Sequence, residues 1–402
     1  MKKILSIPAE RFPTHEPFLD AVYSEEDKLF KTVFLMKTDK TDFLNFKKSK
    51  WNKSKVYLIK RYSMFKILNS IDTYFSVDLR YLYLIPYIIF KEKINIIQVR
   101  DITFPLAISL LFKLVFDRKI VYQKSHPHEY HKIYKAKYDS EKMKHPNLLY
   151  KSRIIENRLL HKMLHFCDAV FPITHYMGKE LNQKYNVPEK KLYPFGMGFN
   201  FKDPAYSETN INKDSSKLKF IYIGTLAKER GFDVLLSGIS KYLKNYADKN
   251  ISFDFIGGTM EEVKDLKKMG QALEIDKFLK FHGKIERYKV YKLLPEYHVG
   301  ISWFGTLKRF KDASPTKLME YLAFGLPFMA TDSVLMHHDI KYATGAGIIT
   351  KNSSYDVCEK LNQSIKNYPV LLKNAENGSD YIRKNYNYNK MKIEIADIYR
   401  KL

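Results

Sequence analysis

The segment DASPTKLMEYLAFGLPFMATD, Asp312–Asp332, combines residue types able to hold a phosphorylated ligand. Ser314 is a favoured helix N-cap and Pro315 suits the first helical position. Gly325 suits the residue after a helix end, and Pro327 helps to stop the helix. This spacing predicts a helix over 315–324, with the backbone N–H groups of Thr316 and Lys317 free at its start. Unpaired donors and the helix dipole attract phosphate there. Glu320 falls four residues after Thr316, on the same face and one turn deeper, while Asp312 precedes the cap. One carboxylate would reach a ligand's hydroxyls from the loop and the other from the helix, with phosphate between them. Taken alone, the pattern also describes a well-capped helix with solvated acids.

A second segment, FIYIGTLAKERGFDVLL, Phe220–Leu236, reads as an apolar strand ending at Gly224. A basic loop with Lys228 and Arg230 follows, and Gly231 opens a helix. The carboxyl end of a parallel strand is a standard place for phosphate. Arg230 has the forked donors that clamp a diphosphate. Neither a Walker A pattern nor GxGxxG occurs in this loop. The stretch SHPHEYH places His126, His128 and His131 beside Glu129, but it does not match HExxH and reads as a polar loop. No Asp-x-Asp pair occurs, which removes a usual handle for a divalent metal. No metal site and no cofactor are expected. GxSxG is missing, and neither Cys167 nor Cys358 stands out as a nucleophile.

Strand-like and helix-like stretches alternate around these motifs. Strands are expected at Lys3–Ile7, Lys31–Met36, Ile94–Val99, Lys119–Gln123 and Ala169–Ile173. Helices are expected at 104–116, 151–166 and 176–185. After Lys217 the alternation restarts: strands at 218–223, 252–256, 278–281, 298–302 and 327–331, with helices between them and after them to 384. Short apolar strands separated by helices indicate parallel sheets built from βαβ units. The polar stretch 201–217 reads as a linker. Domains of 1–200 and 218–386 follow, and a last helix over 387–402 is expected to pack back on the first domain.

Lys and Arg total 69 against 44 Asp and Glu, a formal net charge of +25. Residues 1–200 hold 36 basic and 20 acidic side chains, so most of the excess lies there. Nucleic acid, an anionic membrane surface and phosphate-bearing substrates are the partners such a balance invites. Without zinc-finger spacing, a ribonucleoprotein signature or a basic helix backed by heptads, nucleic acid is not expected. Two cysteines exclude a disulfide framework and fit a reducing, cytoplasmic compartment. The start of the chain is too short and too soon polar for a signal peptide. The apolar runs Tyr81–Phe90 and Phe104–Phe116 fall short of the roughly 20 residues that span a bilayer. The second run is read as core, with a membrane-facing role as the lesser alternative.

In this order, the motifs resemble those of the GT-B glycosyltransferases of family 4. Gly224-Thr225-Leu226 with Arg230-Gly231 and Asp233 looks like the donor-diphosphate loop. DASPTKLMEYLAFGLPFMAT looks like the second donor motif, with its two carboxylates and following Gly-x-Pro strand. Phe281-His282-Gly283-Lys284-Ile285 resembles the turn that borders the nucleotide base, and His126 the acceptor-domain histidine near the cleft. The resemblance is dense from about 218 to 350. It implies two doubly wound, Rossmann-like α/β domains facing a cleft, and transfer of a hexose-type sugar with retention of configuration. The donor would be a nucleoside diphosphate sugar. The acceptor would be a glycan or a lipid-linked molecule in cell-envelope polysaccharide synthesis, at the inner face of an anionic membrane.

By the same resemblance Arg230 binds the diphosphate, and Gly224, Thr225 and Ser314 belong to the donor loops. Thr316 and Lys317 present backbone N–H groups to the phosphates, and Glu320 holds the ribose. Gly283 and Ile285 border the base, while Asp312 and His126 contact the transferred sugar. Thr225 stands where the family often carries a second basic residue, and Asp312 where it usually has Glu. The alternatives are a nucleotide-sugar 2-epimerase on the same general fold, and a non-enzymatic binding partner of that fold.

Overall fold

The computed structural model describes residues 1–14, 16–24, 28–39, 46–60, 78–125, 146–207, 217–246 and 250–402. They fall into two compact units, Met1–Gly196 with Tyr388–Leu402, and Met197–Asn387.

In the first unit the strands are β1 (Lys2–Pro8), β2 (Phe30–Thr38), β3 (Phe46–Trp51), β4 (Ser54–Lys60), β5 (Ile96–Arg100), β6 (Lys119–Lys124) and β7 (Ala169–Pro172). Their order is β3-β4-β2-β1-β5-β6-β7. Every neighbouring pair is parallel except β3 with β4. Continuous apolar runs suit strands covered on both faces. Leu5, Ile7, Val99 and Tyr122 share a core with α1 (Arg80–Glu92), α2 (Thr103–Phe116) and α3 (Pro146–Leu164). Helix α4 (His175–Tyr185) is capped by Thr174, whose hydroxyl accepts from the Met177 N–H at 3.2 Å, and ends on left-handed Asn186. The Tyr399 ring, near the chain end, meets Phe30 at 5.4 Å, and the hydroxyls of Tyr399 and Tyr23 lie 3.1 Å apart. These contacts hold the last helix in the first unit.

The second unit contains β8 (Leu218–Ile223), β9 (Ile251–Ile256), β10 (Leu279–Gly283), β11 (Val299–Ser302), β12 (Phe328–Thr331) and β13 (Gly347–Thr350). They form an all-parallel sheet in the order β10-β9-β8-β11-β12-β13. Ile221 points into one core, and its neighbours Phe220 and Tyr222 point into the other. The helices are α5 (Phe232–Asn245), α6 (Met260–Ala272), α7 (Arg287–Leu293), α8 (Thr316–Ala323), α9 (Leu335–Thr344), α10 (Ser354–Lys366) and α11 (Tyr368–Asn385). The chain returns to the first unit as α12 (Tyr388–Lys401). Helix α5 buries Phe232, Leu235, Leu236, Ile239 and Tyr242 along one stripe, the spacing of an amphipathic helix.

Three sequence expectations change. The first-domain limit at 200 and a linker beginning at 201 do not match the packing, because Phe199, Phe201 and Tyr206 are held by the second unit. The Phe199 ring meets Phe201 at 4.9 Å and Phe324 at 5.9 Å, and Tyr206 donates to the Ala323 carbonyl at 3.2 Å. Residues 208–216 of that linker lie outside the described ones. The antiparallel β3–β4 pair adds to the expected parallel strands, and Lys47, Lys48 and Lys50 make β3 too polar to stand out as an apolar strand. Lysines on an edge strand oppose pairing with other chains. Helices α1 and α9 and strand β13 were missed as well. Pro86 interrupts the first, and β13 is only 4 residues long.

His337, on α9, ties β11 to β12. Its Nδ1 lies 2.7 Å from the Thr331 carbonyl, which can only accept, so Nδ1 carries the proton and Nε2 accepts from Ser302 at 2.8 Å. Burial drives its pKa down to about 3. The unfolded chain therefore takes up this proton first, and stability present above about pH 6.5 is lost as the pH falls towards 3. Urea unfolding at pH 7.5 and 5.0 should show a loss of about 2 kcal/mol from this group. The loss should shrink in His337→Gln, and an unchanged slope would assign the pH dependence elsewhere.

Candidate active site

The N-terminus of α8 is aimed by Tyr321. Its hydroxyl accepts from the Ile223 N–H at 3.0 Å and lies 3.2 Å from the Ile301 carbonyl, pinning the helix to β8 and β11. Gly300 makes room, because a Cβ there would sit 2.2 Å from the Tyr321 ring. The cap differs from the sequence expectation. Pro315 occupies the N-cap position with no side-chain cap bond, and the helix starts at Thr316. The Ser314 hydroxyl instead accepts from the Met197 N–H at 2.8 Å, drawn away by an extended segment the local pattern cannot reveal. The first-turn amides of α8 are thus left without a side-chain cap.

Two cations stand beside this helix start. Arg230 closes a short 3-10 turn, Lys228–Arg230, and its guanidinium lies 4.3 Å from the Phe304 centroid and 4.9 Å from that of Phe310. Its Nη1 is buried and has no hydrogen-bond partner. Burial lowers its pKa, and Arg309 pushes in the same direction. Lys317 is buried too, with Nζ 3.9 Å from the Tyr222 centroid, 5.0 Å from that of Phe304, and no hydrogen-bond partner. Burial holds this amine well below its usual range, with the charge of Arg230 adding to the shift. Gly224, at φ +143°, borders the ammonium, and a Cβ there would lie 3.2 Å from Nζ. Unpaired buried cations are costly, and aromatic faces offset only part of that cost. Their arrangement at the carboxyl ends of parallel strands, with uncapped helix amides, is suited to a polyanion.

The glycine loops of neighbouring strands join at this point. The Gly224 N–H donates to the Ile256 carbonyl at 2.9 Å, and the Gly257 N–H to the Gly283 carbonyl at 2.6 Å. Gly283 has φ +68° and open space where a Cβ would stand. A groove of about 850 Å³ lies alongside, lined by Gly258, Thr259, Phe281, His282, Gly283 and Lys284 among others. His282 is held by Asp254 at 2.6 Å, which also accepts from Tyr297 at 2.9 Å.

Residues 207–384 match the family described as glycosyl transferases group 1. The match lies within the second unit, which carries a group 1 glycosyl transferase domain. The whole chain also shares its fold with solved structures. Anabaena HepE, crystallised with UDP, superposes with a TM-score of 0.71 at 11% identity over 100% of both chains. Sucrose-phosphate synthase from Thermosynechococcus elongatus gives 0.69 at 10% identity, over 100% of this chain and 99% of that one. A glycosyltransferase from Rickettsia africae gives 0.68 at 15% identity, over 100% and 98%. The architecture is GT-B. No curated protein matches the sequence.

In this domain Glu320 is buried, and its Oε1 accepts from Tyr291 at 2.9 Å and lies 3.3 Å from Arg287. Arg287 also donates to the Tyr291 hydroxyl at 2.7 Å. Burial raises the Glu320 pKa, and Arg287 opposes that shift. Sequence reasoning missed Arg287 and Tyr291, which sit four residues apart on α7. It also gave Lys317 only a backbone role, although a lysine among the core residues Leu318, Met319, Tyr321 and Leu322 is itself an anomaly. Thr225 is exposed, and its carbonyl accepts from Tyr222 at 2.8 Å. Ile285 packs against the core of the second unit, and Asp312 and Thr316 are half-buried at the approach to α8. His126, with His128, Glu129 and His131, lies outside the described residues.

The buried ammonium of Lys317 predicts opposite effects on stability and anion binding. Lys317→Met should raise unliganded stability by on the order of 1 kcal/mol, because the cost of burying an amine without a hydrogen-bond partner is removed. Inorganic pyrophosphate should raise the melting temperature of the wild type and do so far less in the variant. An undiminished pyrophosphate shift in Lys317→Met would place the ammonium outside the anion site.

Proposed function

We propose that the enzyme transfers a hexose-type sugar from a nucleoside diphosphate sugar to a glycan or lipid-linked acceptor, with retention of configuration and without a metal ion. The observation that carries this reading is the pair of basic side chains, half-buried Arg230 and buried Lys317, at the uncapped start of α8. The chemistry needs a stabilised leaving diphosphate more than a strong base. Arg230, the Lys317 ammonium and the amides of Thr316 and Lys317 supply that stabilisation as fixed positive potential. Lys317 takes the part that a basic residue at Thr225 would play. Glu320, oriented by Arg287 and Tyr291, receives the ribose hydroxyls. Gly224 lets the diphosphate approach the backbone, and Ser314 fixes the loop before α8. Gly283 and Ile285 border the base, and the groove beside Gly283 gives that end of the donor its room. Asp312 contacts the transferred sugar from the loop, and His126 its reacting face.

HepE was crystallised with UDP and with UDP-glucose, which supports a uridine diphosphate sugar as the donor class. The basic excess in the first 200 residues supports an acceptor at an anionic membrane surface, in cell-envelope polysaccharide synthesis within the cytoplasm. The first unit would take the acceptor.

Release of UDP from UDP-hexoses tests the donor side directly. Glu320→Gln should weaken donor binding roughly tenfold or more, the scale of a lost charge-assisted hydrogen bond. Asp312→Ala should lower turnover while leaving UDP affinity nearly unchanged. Wild-type donor affinity and turnover in both variants would return Asp312 and Glu320 to structural roles. Turnover should also survive EDTA, and a loss restored by one divalent ion would overturn the metal-free mechanism.

A further inference from the structure

The side of the first unit covered by α1, α2 and α3 is apolar on its outside as well as its inside. On α2, Leu111, Leu114 and Val115 are 61%, 87% and 69% exposed, and their spacing puts them on one stripe. On α1, Tyr83, Tyr87 and Phe90 form a second exposed stripe. On α3, Ile155 and Leu159 form a third. The stripes adjoin: Phe90 packs edge-on against Phe116 at 4.8 Å, joining α1 to α2. The Lys113 ammonium, 2.9 Å from the Phe166 carbonyl and 2.9 Å from Asp168, joins α2 to the segment after α3. Isolated exposed leucines are ordinary, but adjoining stripes on three helices are not.

The charge on these helices is one-sided. Lys91 on α1 and Lys151, Arg158 and Lys162 on α3 are exposed. The helices contain two acids, and both are turned inward and paired. Glu92 takes the Tyr57 hydroxyl at 2.7 Å and Lys55 at 2.9 Å, and Glu156 takes Arg153 at 2.6 Å and Thr103 at 3.0 Å. Asp117, just after α2, is an exposed carboxylate at the border. An apolar face whose helices expose four cations, with Asp117 the exposed acid at its border, is complementary to anionic lipid headgroups over acyl chains. Among the described residues no helix is long and apolar enough to cross a membrane, so such a face would lie in the interface.

We propose that the α1–α2–α3 face docks on the surface of an anionic lipid bilayer. Leu111, Leu114, Val115 and Phe90 enter the acyl boundary, while Lys91, Lys151, Arg158 and Lys162 meet the headgroups. This docking extends the proposal of a lipid-linked acceptor, since it brings the acceptor-taking unit to the membrane. The test is co-sedimentation of the full chain with vesicles of phosphatidylcholine alone and of phosphatidylcholine mixed with phosphatidylglycerol. Binding should require the anionic lipid and fall with added salt. Leu114→Glu should weaken it roughly tenfold or more with an unchanged melting temperature and unchanged UDP binding. Lys151→Glu with Lys162→Glu should weaken it while reducing its salt dependence. Equal binding by Leu114→Glu, or no preference for anionic vesicles, would overturn the proposal. Self-association that Leu114→Glu abolishes, without vesicle binding, would assign the face to a second copy. UDP binding is read in the same samples, so failure at the membrane is distinguishable from failure of the donor site.

Discussion

Two basic side chains without an ion-pair partner, half-buried Arg230 and buried Lys317, are the constraint around which the second unit is organised. Each lies on aromatic faces and not on a carboxylate, Arg230 on Phe304 and Phe310 and Lys317 on Tyr222 and Phe304. A desolvated ammonium beside a guanidinium is held only if the surrounding packing over-determines it. Tyr321 supplies much of that constraint, since one hydroxyl bonds to β8 and to β11 and fixes the helix that bears Lys317. Gly300 and Gly224 supply the rest by withholding side chains where the Tyr321 ring and the ammonium must sit.

The nearby acids follow from the same logic. Glu320 is one turn below Lys317 yet is claimed by Tyr291 and Arg287, and Glu229 is claimed by Arg309. The carboxylates make their ion pairs with other partners, so Glu320 and Glu229 offset the charges of Lys317 and Arg230 only in part. A site of this kind trades stability of the empty protein for affinity towards a polyanion. Neutral His337, behind Phe304, keeps β11 and β12 in register without adding a third charge.

Much of the frame could be read from the sequence because it is local. The βαβ alternation, the strand ending at Gly224, the helix ending before Gly325 and the Arg230 loop all depend on periodicity, caps and glycine. The family resemblance ordered these motifs. What escaped had a nonlocal cause or a weak local signal. β3 is disguised by lysines, and α1 is interrupted by Pro86. Phe201 and Tyr206 look like a linker's residues until the rings of Phe199 and Phe324 stand against them.

The sequence by itself determined the parallel α/β alternation, the presence of a helix between Pro315 and Gly325 and the basic excess, since each rests on residue type and near-neighbour spacing. Tertiary structure alone decided that Ser314 gives up its cap for Met197, that Lys317 offers an ammonium as well as an amide, and that Glu320 is oriented by α7. It also decided that three helices turn apolar stripes outward together while burying both of their acids. Which hydrogen-bond donor meets which acceptor, and which basic group lacks an ion-pair partner, depends on residues 20 to 117 positions apart, brought together only by sheet register and core packing.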